Sequence, residues 1–92
     1  MKPVIWHPGA EEDLEEIVDY IAIDNIDAAL KLARRIVGAV EDNLPQSPHM
    51  GRPGRVEGTS ELIVHENYLV IYEVTANAIN VLNVIHAARL YP

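Results

Sequence analysis

The last third of the chain is divided into three short apolar segments by two pairs of turn-forming residues. The segments are Ser60–His65, Tyr68–Thr75 and Ile79–His86, and the turns between them are Glu66-Asn67 and Ala76-Asn77. Short segments rich in β-branched residues and joined by tight turns are typical of consecutive antiparallel strands. The sequence therefore predicts a three-stranded antiparallel meander.

Two amphipathic helices are predicted before this meander. The first opens at Pro8 or just after it, and apolar residues at positions 14, 17, 18 and 21 form one helical stripe. The second runs from about Ala28 to Leu44, after turn- and cap-forming residues at 24–27, and Pro45 ends it. The short connection between them predicts an antiparallel helix hairpin.

Two flanking segments complete the expected architecture of this 92-residue chain. Residues 2–6 predict a brief strand, and Pro3 favours a place at a sheet edge because proline cannot donate a backbone hydrogen bond. Gln46–Gly58 is rich in glycine and proline and is long for a loop in so small a domain, which makes it a candidate functional loop. We expect a single α+β domain, in which the N-terminal strand joins the meander in one sheet and the helix hairpin packs on one face.

The amount of apolar sequence exceeds what this arrangement can bury. Apolar residues make up 49% of the chain, and residues 68–74 are apolar on both faces of the expected strand. Two short helices cover only one face of a sheet. We therefore expect leftover apolar surface on the sheet and a protein partner that covers it.

Charge and composition exclude several function classes. The formal net charge is −7, with four basic and ten acidic side chains in residues 1–44 but three and four in residues 45–92. A chain without an overall basic surface is poorly suited to general nucleic-acid binding, and we expect no sequence-specific DNA binding. The absence of cysteine excludes disulfides and thiolate metal sites, and the acids of the first helix are typical of a solvated face, so no metal or cofactor is expected. Short apolar runs and the lack of a signal pattern indicate a cytoplasmic protein without a membrane span.

Several segments together resemble the ParE/RelE toxin superfamily, in the family's order and over nearly the whole chain. They are Asp13-Leu14 with Ile17 and Tyr20-Ile21, Pro48–Arg55, Gly58–Val64, Tyr68–Val74 and Val84–Arg89. The resemblance implies the toxin of a type II toxin–antitoxin module, a growth inhibitor silenced by an antitoxin whose C-terminal segment wraps it. The residues expected to contact the antitoxin are Tyr68, Leu69, Ile71 and Tyr72.

The superfamily contains two mechanisms, and the residues must decide between them. RelE-like members resemble metal-independent ribonucleases that cut messenger RNA on the ribosome, whereas ParE-like members poison DNA gyrase. RNA cleavage needs a base, an acid and cations that hold the developing phosphorane charge. The candidates for these roles are His65, His86, Arg89 and Tyr91. Leu69, beside Tyr68, stands where the ribonucleases carry an arginine, so we expect a ParE-like toxin directed at gyrase.

Other readings of the same residues stay open. His86 is also suited to a structural role at the end of an apolar strand, and His65 to simple exposure near a turn. Arg52 and Arg55 flank Pro53-Gly54 and, with Arg89, are candidates for target binding; the first two are equally suited to offsetting the acidic helix. A RelE-like ribonuclease, and a domain that binds its antitoxin but has lost toxicity, are the alternatives to gyrase inhibition.

Overall fold

The computed structural model describes residues 1–89, and of Arg89 the backbone only. In chain order the elements are β1 (Val4–Trp6), α1 (Pro8–Ala22), α2 (Ile26–Asn43), β2 (Arg52–Pro53), β3 (Ser60–His65), β4 (Tyr68–Val74), β5 (Ile79–His86) and a 3₁₀ turn (Ala87–Arg89). The predicted α+β fold, with a helix hairpin and a meander, is confirmed.

All five strands form one mixed sheet in the order β1-β5-β4-β3-β2. The meander β3-β4-β5 is antiparallel, and β1 joins it as an edge strand parallel to β5. The strand β2 lies inside the segment that was expected to be an irregular loop, where Arg52 pairs with Glu61 and Pro53 with Ser60. Two residues, one of them proline, are too few to produce an alternating sequence pattern, which is why this strand escaped prediction.

Local signals account for the ends of the helices. The carbonyl of His7 accepts hydrogen bonds from the amides of Ala10 and Glu11, so α1 begins at Pro8 as predicted. The predicted start of α2 at Ala28 is wrong by two residues. Asn25 caps this helix, because its side chain accepts a hydrogen bond of 3.0 Å from the backbone amide of Ala28.

The core lies between the helix hairpin and one face of the sheet. Its fully buried members include Ile36, Val40 and Leu44 from the second helix and its end, together with Val70, Tyr72, Ile79 and Val81 from the sheet. Tyr68 and Val74 pack against this cluster, as expected for residues that share one strand face with Val70 and Tyr72. The face that carries Leu69 and Ile71 is turned away from the helices.

Of the exposed large apolar side chains in the described residues, four lie on the helix hairpin and two, Ile5 and Ile63, lie on the sheet. On the hairpin, Tyr20 is 76% exposed, Ile23 81%, Ile26 65% and Leu30 44%. Among the described residues of the meander, Ile63 is the large apolar side chain that is exposed, at 62%. The prediction that the leftover apolar surface lies on the sheet is therefore wrong for most of these exposed side chains, which lie elsewhere. The core cluster uses α1 only up to Ile17 and α2 only from Leu32 onward, so outward-facing positions at the turn end stay in solvent.

Within the described chain, no helix combines the length and apolar character that a membrane crossing requires.

Candidate functional site

Three aromatic side chains meet at one end of the sheet. His65 ends β3, Tyr68 begins β4 and His86 ends β5, and strand pairing sets Tyr68 opposite both histidines. The Tyr68 ring centroid lies 5.8 Å from that of His65 and 5.1 Å from that of His86, the latter in an edge-to-face arrangement. The meander thus assembles two of the predicted catalytic residues around a tyrosine that was expected to contact the antitoxin.

In both histidines, the Nδ1 atom accepts a hydrogen bond from the backbone amide two residues further along the chain. The Nδ1 atom of His65 accepts a hydrogen bond of 3.0 Å from the Asn67 amide, and the Nδ1 atom of His86 accepts one of 3.1 Å from the Ala88 amide. In the neutral imidazole the hydrogen is then assigned to Nε2. Both rings therefore have one nitrogen engaged by the backbone and one left for proton exchange.

A cleft of about 720 Å³ opens beside this cluster, between α1 and the end of the sheet. Its walls carry two carboxylates, two tyrosine rings and one imidazole among apolar side chains. The residues that line it are Asp13, Glu16, Ile17, Tyr20, Tyr68, Val84, Ile85, His86 and Ala88. The described lining includes no lysine and no arginine side chain, so the cleft is acidic and aromatic.

Asp13 connects the wall of this cleft to β5. Its Oδ2 atom accepts hydrogen bonds of 3.0 Å from the Asn83 side chain and 3.0 Å from the Val84 backbone amide. The contact lies beside a bulge in β5, where the register shifts between the pairs Ile71–Asn83 and Tyr72–Val81. The sequence predicts a solvated face for the acids of the first helix. It does not reveal the contact of Asp13, because the β5 partners of Asp13 are 70 and 71 positions away along the chain.

The arginines of the glycine-rich loop lie at the other end of β3, away from the aromatic cluster. Arg52 is half exposed, and its Nε atom donates to Oε1 of the buried Glu61 over 2.8 Å. Tyr72 fixes the same loop, since its hydroxyl accepts from the Gly51 amide over 3.0 Å and donates to the Pro48 carbonyl over 2.8 Å. This part of the loop is therefore ordered against the sheet, with Arg52 held by an acid that sequence reasoning did not single out.

Comparison with known proteins identifies the family. The model of the ParE toxin of type II toxin–antitoxin systems matches residues 4–91. The chain belongs to the ParE toxin family. Among curated relatives, Y4kP of Sinorhizobium fredii is 36% identical over 99% of this chain and 94% of its own. Toxin RelE2 of Caulobacter vibrioides is 34% identical over 98% of this chain and 100% of its own.

A solved structure agrees with the ParE assignment. A chain of the chromosomal ParDE toxin–antitoxin system from P. aeruginosa superposes with a TM-score of 0.83 at 28% identity, covering 94% of this chain and 96% of that one. This chain therefore shares its fold with a chain of a known toxin–antitoxin system, over nearly the whole length of both chains.

The remaining predicted residues of this ParE toxin are spread over the molecule. Tyr72 is fully buried and Leu69 is 2% exposed, so neither offers much surface to a partner, whereas Ile71 and Tyr68 are half-buried. Arg55 is exposed in the loop after β2. The backbone of Arg89 closes the 3₁₀ turn that follows His86, its side chain lies outside the described part, and Tyr91 lies outside the described residues altogether.

Proposed function

We propose that this ParE toxin arrests growth by binding DNA gyrase in the cytoplasm and that a cognate antitoxin holds it inactive. The observation that supports a protein target over RNA is the charge around the aromatic cluster. Asp13 and Glu16 line the cleft beside His86, and Glu66 lies 3.9 Å from the Nε2 atom of His65. Carboxylates at these places repel RNA phosphates, whereas RNA cleavage needs cations around the reacting phosphate.

The antitoxin in this proposal covers the face of the sheet that the helices leave open. The ParDE relative from P. aeruginosa belongs to a toxin–antitoxin system, which supports a partner of this kind. Ile63 is 62% exposed on this face, opposite Leu69 in the β3-β4 pairing, and Ile71 follows on the same side of β4. Ile63 and Ile71 are therefore the proposed antitoxin contacts on the sheet. Tyr72 is fully buried in the core and is not one of them.

Supercoiling by purified gyrase tests the target. The toxin is released from its antitoxin complex, refolded and added at micromolar concentration to gyrase and relaxed plasmid. We expect loss of supercoiling, and recovery when the antitoxin is added back. Unchanged supercoiling would remove gyrase as the target. A lack of growth arrest after induction without antitoxin would instead favour a domain that has lost toxicity.

The aromatic cluster supports one second candidate, a metal-independent ribonuclease. Two imidazoles flank Tyr68, and each has its Nε2 atom outside the backbone hydrogen bonds that engage Nδ1. A pair of such groups is suited to act as base and acid in cleavage through the RNA 2′-hydroxyl. Primer extension on cellular messenger RNA after induction tests this candidate, and new 5′ ends within codons would support it over gyrase binding.

A further inference from the structure

We propose that the cleft between α1 and the end of the sheet binds a basic segment of the protein target, taking an arginine or lysine side chain between Glu16 and the tyrosine rings. The inference rests on the proposed function in one respect, that the target is a protein. It assigns to the toxin a recognition site that is separate from the arginine loop at the other end of β3.

The lining of the cleft has the chemistry that recognises an organic cation. Glu16 is exposed and takes part in none of the ion pairs found among the described side chains of residues 1–88, so its charge is available to a partner. Tyr20 is 76% exposed at the rim, and Tyr68 forms part of the wall. A guanidinium or ammonium group is attracted both to a carboxylate and to the face of an aromatic ring.

The charge near the cleft favours a basic partner over other classes. Asp19, Asp24 and Asp27 are exposed along the hairpin beyond Glu16, and Asp13 supplies a second carboxylate inside the cleft. Fields of one sign speed the approach of an oppositely charged segment and repel nucleic acid. The volume of about 720 Å³ exceeds one side chain, so the cleft fits a length of peptide with a cation as its anchor.

Exposed apolar side chains continue from the rim of the cleft along the hairpin. Tyr20 and Ile23 are three residues apart at the end of α1 and are therefore neighbours on its surface. Ile23 is 81% exposed and Ile26, at the start of α2, is 65% exposed. The partner segment accordingly carries apolar residues beside its cation, which fits an amphipathic helix with one basic edge.

Two variants and one matched control test the site in the gyrase assay. Glu16→Gln removes the charge and Tyr20→Ala the ring, both at exposed positions. Glu15→Gln makes the same charge change on α1 in a separate groove lined by Trp6, Leu14 and Val18. We expect inhibition to weaken about threefold with Glu16→Gln and about tenfold with Tyr20→Ala, and to be unchanged with Glu15→Gln. Full inhibition by a Glu16→Gln, Tyr20→Ala double variant would overturn the site while leaving gyrase as the target.

A peptide titration decides the inference even if gyrase is not the target. The probe is a short amphipathic peptide of leucine, alanine and arginine, with citrulline in place of arginine in the neutral control. Amide signals of Asp13, Tyr20 and His86 are followed by NMR in the isotope-labelled toxin. We expect these signals to shift with the arginine peptide, and Glu16→Gln to weaken its binding about threefold. Equal binding of the citrulline peptide, or shifts confined to other surfaces, would overturn the proposal.

Discussion

The carboxylate of Asp13 on α1 holds the backbone amide of Val84 on β5 over 3.0 Å, across 71 positions of sequence. The same oxygen accepts from the side chain of Asn83. One side chain thus joins the first helix to the last strand beside the β5 bulge and also lines the acidic cleft. The same residue therefore belongs both to the packing of α1 on β5 and to the candidate site.

Asp13→Ala is expected to lower the free energy of unfolding by about 1–3 kcal/mol, because it leaves the partly buried Val84 amide without its acceptor. Asp19→Ala is the matched control, since Asp19 is an exposed aspartate of the same helix. Urea unfolding followed by circular dichroism measures both. Equal stabilities of the two variants would show that the Asp13 contact contributes nothing to the fold.

Gly51→Ala and Gly38→Ala are expected to change stability in opposite directions. A Cβ at position 51 would lie 2.6 Å from the Tyr72 hydroxyl and 2.7 Å from the Glu61 carbonyl oxygen. This crowding costs about 1–3 kcal/mol. At position 38, inside α2, the nearest atom is the Asp42 Oδ2 atom at 3.6 Å, so alanine fits and stabilises the helix by about 0.5–1 kcal/mol. Thermal unfolding of both variants measures the two shifts, and shifts of the same sign would contradict the described loop packing.

Tyr72→Phe tests how the glycine-rich loop is fastened to the sheet. The substitution keeps the buried ring but removes the bridge from the Gly51 amide to the Pro48 carbonyl, at an expected cost of about 1–3 kcal/mol. Tyr20→Phe, at an exposed ring, should change stability by less than about 0.5 kcal/mol. Hydrogen exchange at the Gly51 amide supplies a local readout. Unchanged protection of this amide in Tyr72→Phe would rule out the bridge as its source.

The helices and the meander were predictable because their signals are local. Apolar periodicity, an asparagine before α2 and tight turns between short strands each act within a few residues. Strand β2 was missed because Arg52 and Pro53 become a strand only through pairing with Glu61 and Ser60. The contacts of Asp13 were missed for the same reason, since its partners are 70 and 71 positions away.

The candidate site was only partly predictable. The chemistry of imidazole makes His65 and His86 candidates from the sequence alone, and the antiparallel register that places both beside Tyr68 follows from the predicted meander. The cleft itself was not foreseen, because Glu16 and Tyr20 converge with His86 only when α1 is docked on β5. The sequence predicts a solvated face for the acids of α1, including Glu16, and gives no neighbours for Tyr20.

His86→Asn separates the two candidate mechanisms. Asparagine can keep an acceptor near the Nδ1 position for the Ala88 amide, while the imidazole that a ribonuclease would need is lost. If the toxin acts on gyrase through binding, growth arrest should persist in His65→Asn, at a residue outside the cleft lining, and messenger RNA should stay uncleaved in the wild type and in both variants. Growth curves after induction, with primer extension on the same cultures, measure the result. Loss of arrest together with the disappearance of messenger RNA cleavage would favour the ribonuclease.

Ile63→Asp and Val56→Asp separate antitoxin binding on the open sheet face from general surface effects. The two side chains are equally accessible, at 62% and 61%, but Ile63 lies on the meander and Val56 on the loop before it. A carboxylate placed in an apolar interface must be desolvated without a partner, so Ile63→Asp should weaken antitoxin binding at least about tenfold. Val56→Asp should leave the affinity unchanged. Calorimetric titration of the antitoxin into each refolded variant measures the difference, and equal affinities would place the antitoxin on another surface of the toxin.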